Sequence, residues 1–292
     1  MTWLIVGANG QLGKSICAEL RARNIRHLPW NRSDGSILDS EFVKMHVSQI
    51  RPSIIVNTAA WTDVDAAENN ESQAEKINAE AVSFLAKAAR EVSAIYVQIS
   101  TDYVFSGESF QPWQEQDPVS PISVYGRTKA QGESFTQLLY PEGSYIFRTS
   151  WLYSQYGKNF AKTMVKKSLM EPKGNVSVVN DQFGQPTFAT DLARQVIDSV
   201  NKKIPFGIYH ATNSGQTTWY EFATEVFRLC DEDPNRVVPI SSIDFKRIAP
   251  RPKYSVLGHD GWKATQLSEM QNWKLALKNS MPSILNSLTM EE

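Results

Sequence analysis

Apolar residues in this chain gather in short runs, and between the runs they recur every three or four positions. The first run, Thr2-Trp-Leu-Ile-Val6, reads as a buried strand, and residues 14–23 then take up a helical period. Further runs near 26–30, at 53–57 and ending at Ser100 alternate with helical patterns at 41–50 and about 72–91. Strands alternating with helices close into a parallel sheet with right-handed crossovers. The pattern predicts an α/β, doubly wound parallel sheet whose ligand lies across the carboxyl ends of the strands.

The second half is less regular. A helix runs to about 139 and a strand to 144–148, and helical patterns follow at 159–169, 190–201, 219–229 and 273–288, separated by short strands and loops such as Ala249-Pro-Arg-Pro252. There is no internal repeat, low-complexity tract or clean linker. We expect a nucleotide-binding domain over 1–150 and a smaller, discontinuous mixed α/β lobe over 151–292. The strand at 175–179 and the helix after Thr190 are expected to rejoin the large sheet, so that about 175–205 returns to the first domain.

Composition narrows the partners. Of 292 residues 41% are hydrophobic and 21% charged, and 30 basic against 31 acidic residues give a net charge of −1. This is a soluble, globular balance without a long basic run, so neither nucleic acid nor an anionic membrane is expected as the main partner. Cys17 and Cys230 lack metal-ligand spacing and the four histidines form no cluster, so no metal site is expected. The N-terminus reads as a strand rather than a leader, and no run approaches the roughly 18 apolar residues of a membrane span. The expectation is a cytoplasmic protein.

Three strand ends carry candidate chemistry. Gly7-Ala-Asn-Gly10-Gln-Leu-Gly13 sits at the first strand-to-helix junction, where Gly7, Gly10 and Gly13 allow a tight turn, close approach of a pyrophosphate and packing of helix on strand. A glycine-rich turn without a ligand is the plainer alternative. Asn57-Thr-Ala-Ala60 and Ser100-Thr101-Asp102 fall at the next ends. After the second strand, Trp30-Asn31-Arg32-Ser33 offers no acid to grip a ribose but an arginine suited to a 2′-phosphate, which favours NADPH, with NADH as an alternative donor. Arg32 also fits a solvated loop.

Tyr125-Gly-Arg-Thr-Lys129 adds an acid. A phenol of ordinary pKa, about 10, exchanges protons poorly near neutrality, and an ammonium four residues on, sharing one helix face, lowers that pKa. Thr101 is placed to orient the phenol and the substrate oxygen that it serves. The same spacing also occurs in plain surface pairs.

Together, Gly7-Ala-Asn-Gly-Gln-Leu-Gly13, Asn57-Thr-Ala-Ala-Trp-Thr-Asp-Val-Asp65, Ser100-Thr-Asp-Tyr-Val-Phe105, Tyr125-Gly-Arg-Thr-Lys129, Arg148-Thr-Ser-Trp151, Asn180-Asp-Gln-Phe-Gly-Gln-Pro-Thr187 and Arg251-Pro-Lys-Tyr-Ser255 resemble the dTDP-4-dehydrorhamnose reductase family of the extended short-chain dehydrogenase/reductase superfamily, over nearly the whole chain. The resemblance implies a Rossmann-like domain binding NADPH and a substrate lobe. It also implies reduction of the 4-keto group of dTDP-4-dehydro-L-rhamnose to dTDP-L-rhamnose for surface polysaccharide. Residue by residue it makes Tyr125 the acid, Lys129 its lysine and nicotinamide-ribose contact, and Thr101 the hydroxyl partner. Gly10, Gln11 and Leu12 become the pyrophosphate turn, and Ala60, Trp61 and Thr62 a second cofactor contact. Thr101, Asp102 and Trp151 become the sugar-nucleotide site, although Trp151 also suits a core aromatic. Trp219 and Arg251 fit a base or pyrophosphate pocket physically.

The chain departs from the family at Lys14-Ser15, where some relatives carry a glutamate proposed to bind a dimer-bridging magnesium, so neither metal nor that dimer is implied and a monomer or a homodimer is expected. Ser36 replaces an acid near the adenosine, and Trp61 a tyrosine or histidine. Two alternatives stay open: a non-catalytic sugar-nucleotide or NADP-binding subunit resembling the regulatory partner of methionine adenosyltransferase, and a reductase giving the C4 epimer, a 6-deoxytalose nucleotide.

Overall fold

Strands Trp3–Val6, Ile54–Asn57 and Ser144–Thr149 are buried at every position, which requires cover on both sheet faces. The computed structural model describes residues 1–170 and 174–289. Its first half runs β1 (Trp3–Val6), α1 (Gln11–Ala22), β2 (His27–Trp30), α2 (Ser40–Ile50), β3 (Ile54–Asn57), α3 (Val64–Glu68), α4 (Glu71–Glu75), α5 (Ala81–Glu91), β4 (Ile95–Thr101), α6 (Val124–Leu139) and β5 (Ser144–Thr149). The second half adds β6 (Leu152–Tyr153), α7 (Phe160–Met170), β7 (Val176–Val179), β8 (Phe183–Gly184), β9 (Thr187–Phe188), α8 (Ala189–Lys202), β10 (Gly207–His210), β11 (Asn213–Ser214), β12 (Thr217–Thr218), α9 (Trp219–Leu229), β13 (Val237–Ile240), β14 (Met270–Asn272) and α10 (Trp273–Thr289).

The large sheet has the order β10-β5-β4-β3-β1-β2, parallel throughout. The chain steps from β1 outward to β2 and returns on the other side to β3, so the strand order reverses at β1, and a crevice opens at such a switch. Alternation within each strand feeds two cores. Trp3 and Ile5 of β1 join Leu12 and Ile16 of α1 and Leu192 and Val196 of α8. Leu4 and Val6 join Val43 and Val47 of α2 and Leu85 of α5 on the other face. The lobe has its own core, with Val165 of α7, Val176 of β7, Phe222 and Val226 of α9 and Ile284 of α10.

Two expectations are corrected. Strand β7 does not rejoin the large sheet; it pairs with β13 from Val176↔Val237 onward because its apolar side chains complete the lobe core. The outer place beside β5 goes to β10, while α8 does return, packing on α1. The helix expected as one piece over 72–91 is interrupted by a π turn at Lys76–Glu80.

Helix α6 is clamped to β5 by a buried ion pair. Arg148 Nη2 donates to Glu133 Oε2 at 2.7 Å and Nε to Oε1 at 3.0 Å, while the guanidinium also lies over the Phe105 ring. Removing one partner of a buried pair strands the other charge, at a cost of about 3–5 kcal/mol. Glu133→Gln is expected to lose that much in urea unfolding. The double variant Glu133→Leu/Arg148→Met, which removes both charges, is expected to lose less than either single change.

Candidate active site

The strand ends determine what faces the crevice. Gly7 has φ +77°, and a Cβ there would lie 2.7 Å from Ala59 N; at Gly13 it would lie 2.4 Å from Gly7 O, so the turn closes on backbone alone. Gly10 caps α1 without any side chain, leaving first-turn N–H groups at the positive end of the helix. A cradle lacking side chains and rich in free amides fits the diphosphate of a dinucleotide. Leu12 is buried beneath it in the core. The Gln11 side chain is committed elsewhere: Nε2 donates to Leu152 O at 3.1 Å, and Oε1 accepts from Ser154 Oγ at 3.1 Å and Asn159 Nδ2 at 2.9 Å.

Beyond β2, Arg32 is exposed. Asn31 Oδ1 accepts from Asn9 N at 2.8 Å, tying this turn to the glycine turn. Asp34, the nearest acid, accepts from Asn31 N at 2.8 Å and so acts as a cap. Ser36 is exposed.

At the end of β3, Thr58 Oγ1 bonds Val6 O and Gly7 O. Ala60 and Trp61 are half-buried and Thr62 exposed. Asn78, from the π turn, holds Trp61 by both backbone groups: Oδ1 accepts from Trp61 N at 2.9 Å and Nδ2 donates to Trp61 O at 3.2 Å, the latter amide also donating to Thr128 Oγ1 on α6 at 3.0 Å. Trp61 and Tyr125 pack against the same cluster of Ala67, Ala74 and Val124.

At the end of β4, Thr101 is buried, its Oγ1 donating to Asp102 Oδ1 at 3.0 Å and accepting from Tyr103 N at 3.2 Å. Tyr125 lies in the first turn of α6. Burial pushes its phenol up to about 12, the Thr101 hydroxyl opposes this, and the Asp102 charge adds to it. Burial likewise lowers Lys129 to about 8 against the pull of Glu133. The expectation that Lys129 depresses the phenol is therefore corrected for this arrangement. Desolvation dominates, and the ammonium is drawn to Ile99 O at 2.6 Å. Asp102 is raised to about 6, again by burial first, with the Ser255 and Thr101 hydroxyls holding it down.

Several buried polar atoms here lack partners: Ser100 Oγ, Asp102 Oδ2 and Thr149 Oγ1. Ser100 and Thr149 lie at the adjoining ends of β4 and β5. Unsatisfied buried groups are costly, and this set matches the hydroxyls of a sugar or ribose.

Trp151 and Trp219 stack with ring centroids 3.6 Å apart, and Trp151 takes φ +43° against Gly184, where a Cβ would meet its ring at 2.6 Å. Arg251 Nη2 donates to Asp65 Oδ2 at 2.9 Å, and Nη1 is buried without a partner. Its charge reaches Tyr103, which stands edge-on to Tyr125 at 5.7 Å. Tyr125, Thr101, Asp102, Tyr103 and Arg251 are thus neighbours, whereas Trp219 meets the aromatic lobe core through Phe160 and Phe222. Among the described residues, no group of three His, Cys, Asp or Glu is placed to hold a metal ion.

Asn78, Asp65 and Glu133 escaped the sequence reading as site residues. The Asn57–Asp65 stretch pointed to Asp65 only as part of a motif, and Glu133 lies four residues beyond Lys129, where helical spacing could have found it.

Known proteins resemble this chain along nearly its whole length. A Streptomyces griseus protein named dTDP-4-dehydrorhamnose reductase is 42% identical over 286 residues, covering 97% of this chain and 93% of that protein. A Streptomyces niveus protein named dTDP-4-keto-6-deoxy-D-glucose reductase is 41% identical, covering 98% of each. The crystal structure of a Bacillus anthracis dTDP-4-dehydrorhamnose reductase in complex with NADP superposes with a TM-score of 0.92 at 37% identity, covering 96% of this chain and 98% of the other. The family described as RmlD substrate binding domain matches residues 1–285, and the chain belongs to that family.

Proposed function

We propose that this chain reduces the 4-keto group of dTDP-4-dehydro-L-rhamnose to dTDP-L-rhamnose with NADPH. The observation that carries the reading is the buried phenol of Tyr125, on which the Thr101 hydroxyl acts, together with the unpaired Ser100, Asp102 and Thr149 atoms at the strand ends, in a chain 42% identical to a protein named as that reductase. When bound, NADPH supplies the hydride for C4. The first turn of α1 and Ala60, Trp61 and Thr62 hold its diphosphate region, and Arg32 its 2′-phosphate.

Tyr125, neutral well above pH 7, keeps its proton until charge develops on the C4 oxygen and then donates it. Lys129 retains its ammonium at neutrality and loses it near pH 8; Ile99 takes one of its three donors and leaves the others for the ribose. Thr101 positions the ketone. Asp102 Oδ2 accepts from a sugar hydroxyl, Arg251 Nη1 meets the substrate diphosphate, and Trp151 with Trp219 forms the apolar wall. The name of the Streptomyces niveus relative supports a second reading of the substrate, dTDP-4-keto-6-deoxy-D-glucose, with the same ketone and the same acid. Incubating pure protein and NADPH with each keto sugar and identifying the product by NMR separates the two. Turnover of neither would defeat the reductase reading.

Tyr125→Phe keeps the ring but removes the acid, so kcat is expected to fall roughly 10²–10⁴-fold while the NADPH Kd stays unchanged. A charge-assisted contact between Arg32 and a 2′-phosphate is worth about 1.5–3 kcal/mol. Arg32→Ala is accordingly expected to remove about a tenfold to hundredfold preference for NADPH over NADH in kcat/KM, and an unchanged preference would count against that contact.

A further inference from the structure

Helix α3 is a short element that holds two distant parts of the site. Residues three apart share a helix face, and Asp65 and Glu68 are so spaced within it. Glu68 Oε1 accepts from Val124 N at 2.8 Å, where the helix carrying Tyr125 begins. Asp65 reaches the other way. Its Oδ1 accepts from Ala249 N at 3.0 Å and its Oδ2 from Arg251 Nη2 at 2.9 Å, with Arg247 Nη1 3.6 Å from the same oxygen.

The segment that carries Arg251 needs such a hold. Pro250 and Pro252 flank the arginine and have no N–H, so a strand ladder cannot fix the backbone there. Its ends are tied elsewhere, Ser242 N to Asp181 Oδ1 at 3.0 Å and Tyr254 N to Gly107 O at 3.1 Å. Between those ties the guanidinium is held by Asp65. Nη2 donates to the carboxylate, while Nη1 is buried and has no partner among the described residues. A cationic donor left in that state is costly until an anion meets it.

We propose that Asp65 is a positioning residue for a nucleoside diphosphate: by fixing Nη2 of Arg251 it turns Nη1 to the diphosphate, and through Glu68 on the same helix it keeps that contact in register with Tyr125. The inference rests on Arg251 being the diphosphate contact, as proposed above. Simple charge predicts the opposite effect of Asp65. A carboxylate near an anionic ligand repels it, so a residue serving only as a counter-charge would weaken binding, and its removal would tighten it. Two arginines against one carboxylate leave a formal charge of +1, so the cluster attracts an anion with Asp65 in place.

The test is the Kd of dTDP, by calorimetry, for wild type, Asp65→Asn, Asp65→Ala, Arg251→Ala and the double variant Asp65→Ala/Arg251→Ala, with the NADPH Kd of each. Asp65→Asn removes the charge at nearly constant shape. It and Asp65→Ala are each expected to weaken dTDP binding roughly tenfold, the scale of one charge-assisted hydrogen bond, while NADPH binds as in wild type. In the Arg251→Ala background, Asp65→Ala is expected to add no further loss, because a residue that acts through Arg251 then has nothing to act on. Tighter or unchanged dTDP binding in Asp65→Asn, an equal loss from Asp65→Ala in both backgrounds, or a loss of NADPH and dTDP binding together in Asp65→Asn overturns the proposal. If dTDP is indifferent to residue 65 while wild type reduces a keto sugar, the proposal fails and the reductase reading stands. If the expected pattern is found and neither keto sugar is reduced, the reductase reading fails and the role of Asp65 stands.

Discussion

The contact between the start of α6 and the turn after β4 governs the site. A Cβ at Gly126 would lie 2.2 Å from Tyr103 O, so helix and turn meet backbone to backbone. No side chain other than hydrogen fits there without moving one of them. The contact is held from both sides: Ser123 Oγ accepts from Gly126 N at 3.1 Å, and Glu68 Oε1, from α3, accepts from Val124 N at 2.8 Å. Tyr125 is thereby brought to Thr101. A second such contact, where a Cβ at Gly132 would lie 2.2 Å from Asn78 O, presses the helix on the π turn that fixes Trp61. The loop read as a cofactor contact and the residue read as the acid are therefore placed by one helix.

Electrostatics follow from that placement. Packing α6 this closely desolvates both Tyr125 and Lys129, which drives each toward its uncharged form. For a reduction, the phenol gains from this, because an acid must still hold its proton when hydride arrives. The lysine loses, and the carboxylate of Glu133 on the next turn offsets part of the loss. Glu133 is in turn buried against Arg148 on β5, so a charge that would be costly alone becomes one link in a series running from the sheet to the ammonium.

What was legible in the sequence was written within a dozen or so residues. The β1 run, the glycine turn and α6 with its Tyr125 and Lys129 each carry their own periodicity and spacing, and their bounds hold to within a few positions. What was illegible depends on distant partners. The place of β7 is decided by β13, some sixty residues away, and Arg251 meets Asp65 at a separation of 186 residues. The π turn around Asn78 inserts a single residue into an otherwise helical composition, and such an insertion barely disturbs a 3.6-residue pattern. Gln11 was read by its place in a glycine motif, but its amide group also bonds Leu152, Ser154 and Asn159, because the second half crosses the turn just there.

Those last bonds bear on how the crevice is kept open. The large sheet and the lobe have separate apolar cores, and apolar contact is indifferent to direction. Hydrogen bonds are not. Gln11 ties the glycine turn to the segment around Ser154, and Asp65 takes Ala249 N at 3.0 Å and Arg251 from the opposite side. Angular constraints at these two places can fix the facing surfaces without filling the space between them. The cost is visible at Trp151, whose φ of +43° is a conformation worth about 1–3 kcal/mol of strain. The stack on Trp219 and the bond from Thr187 N to Trp151 O at 3.2 Å hold it there. Strain retained where β5 leaves the sheet for the lobe directs an indole toward the lobe's aromatic wall, an arrangement that a relaxed backbone at residue 151 would not give.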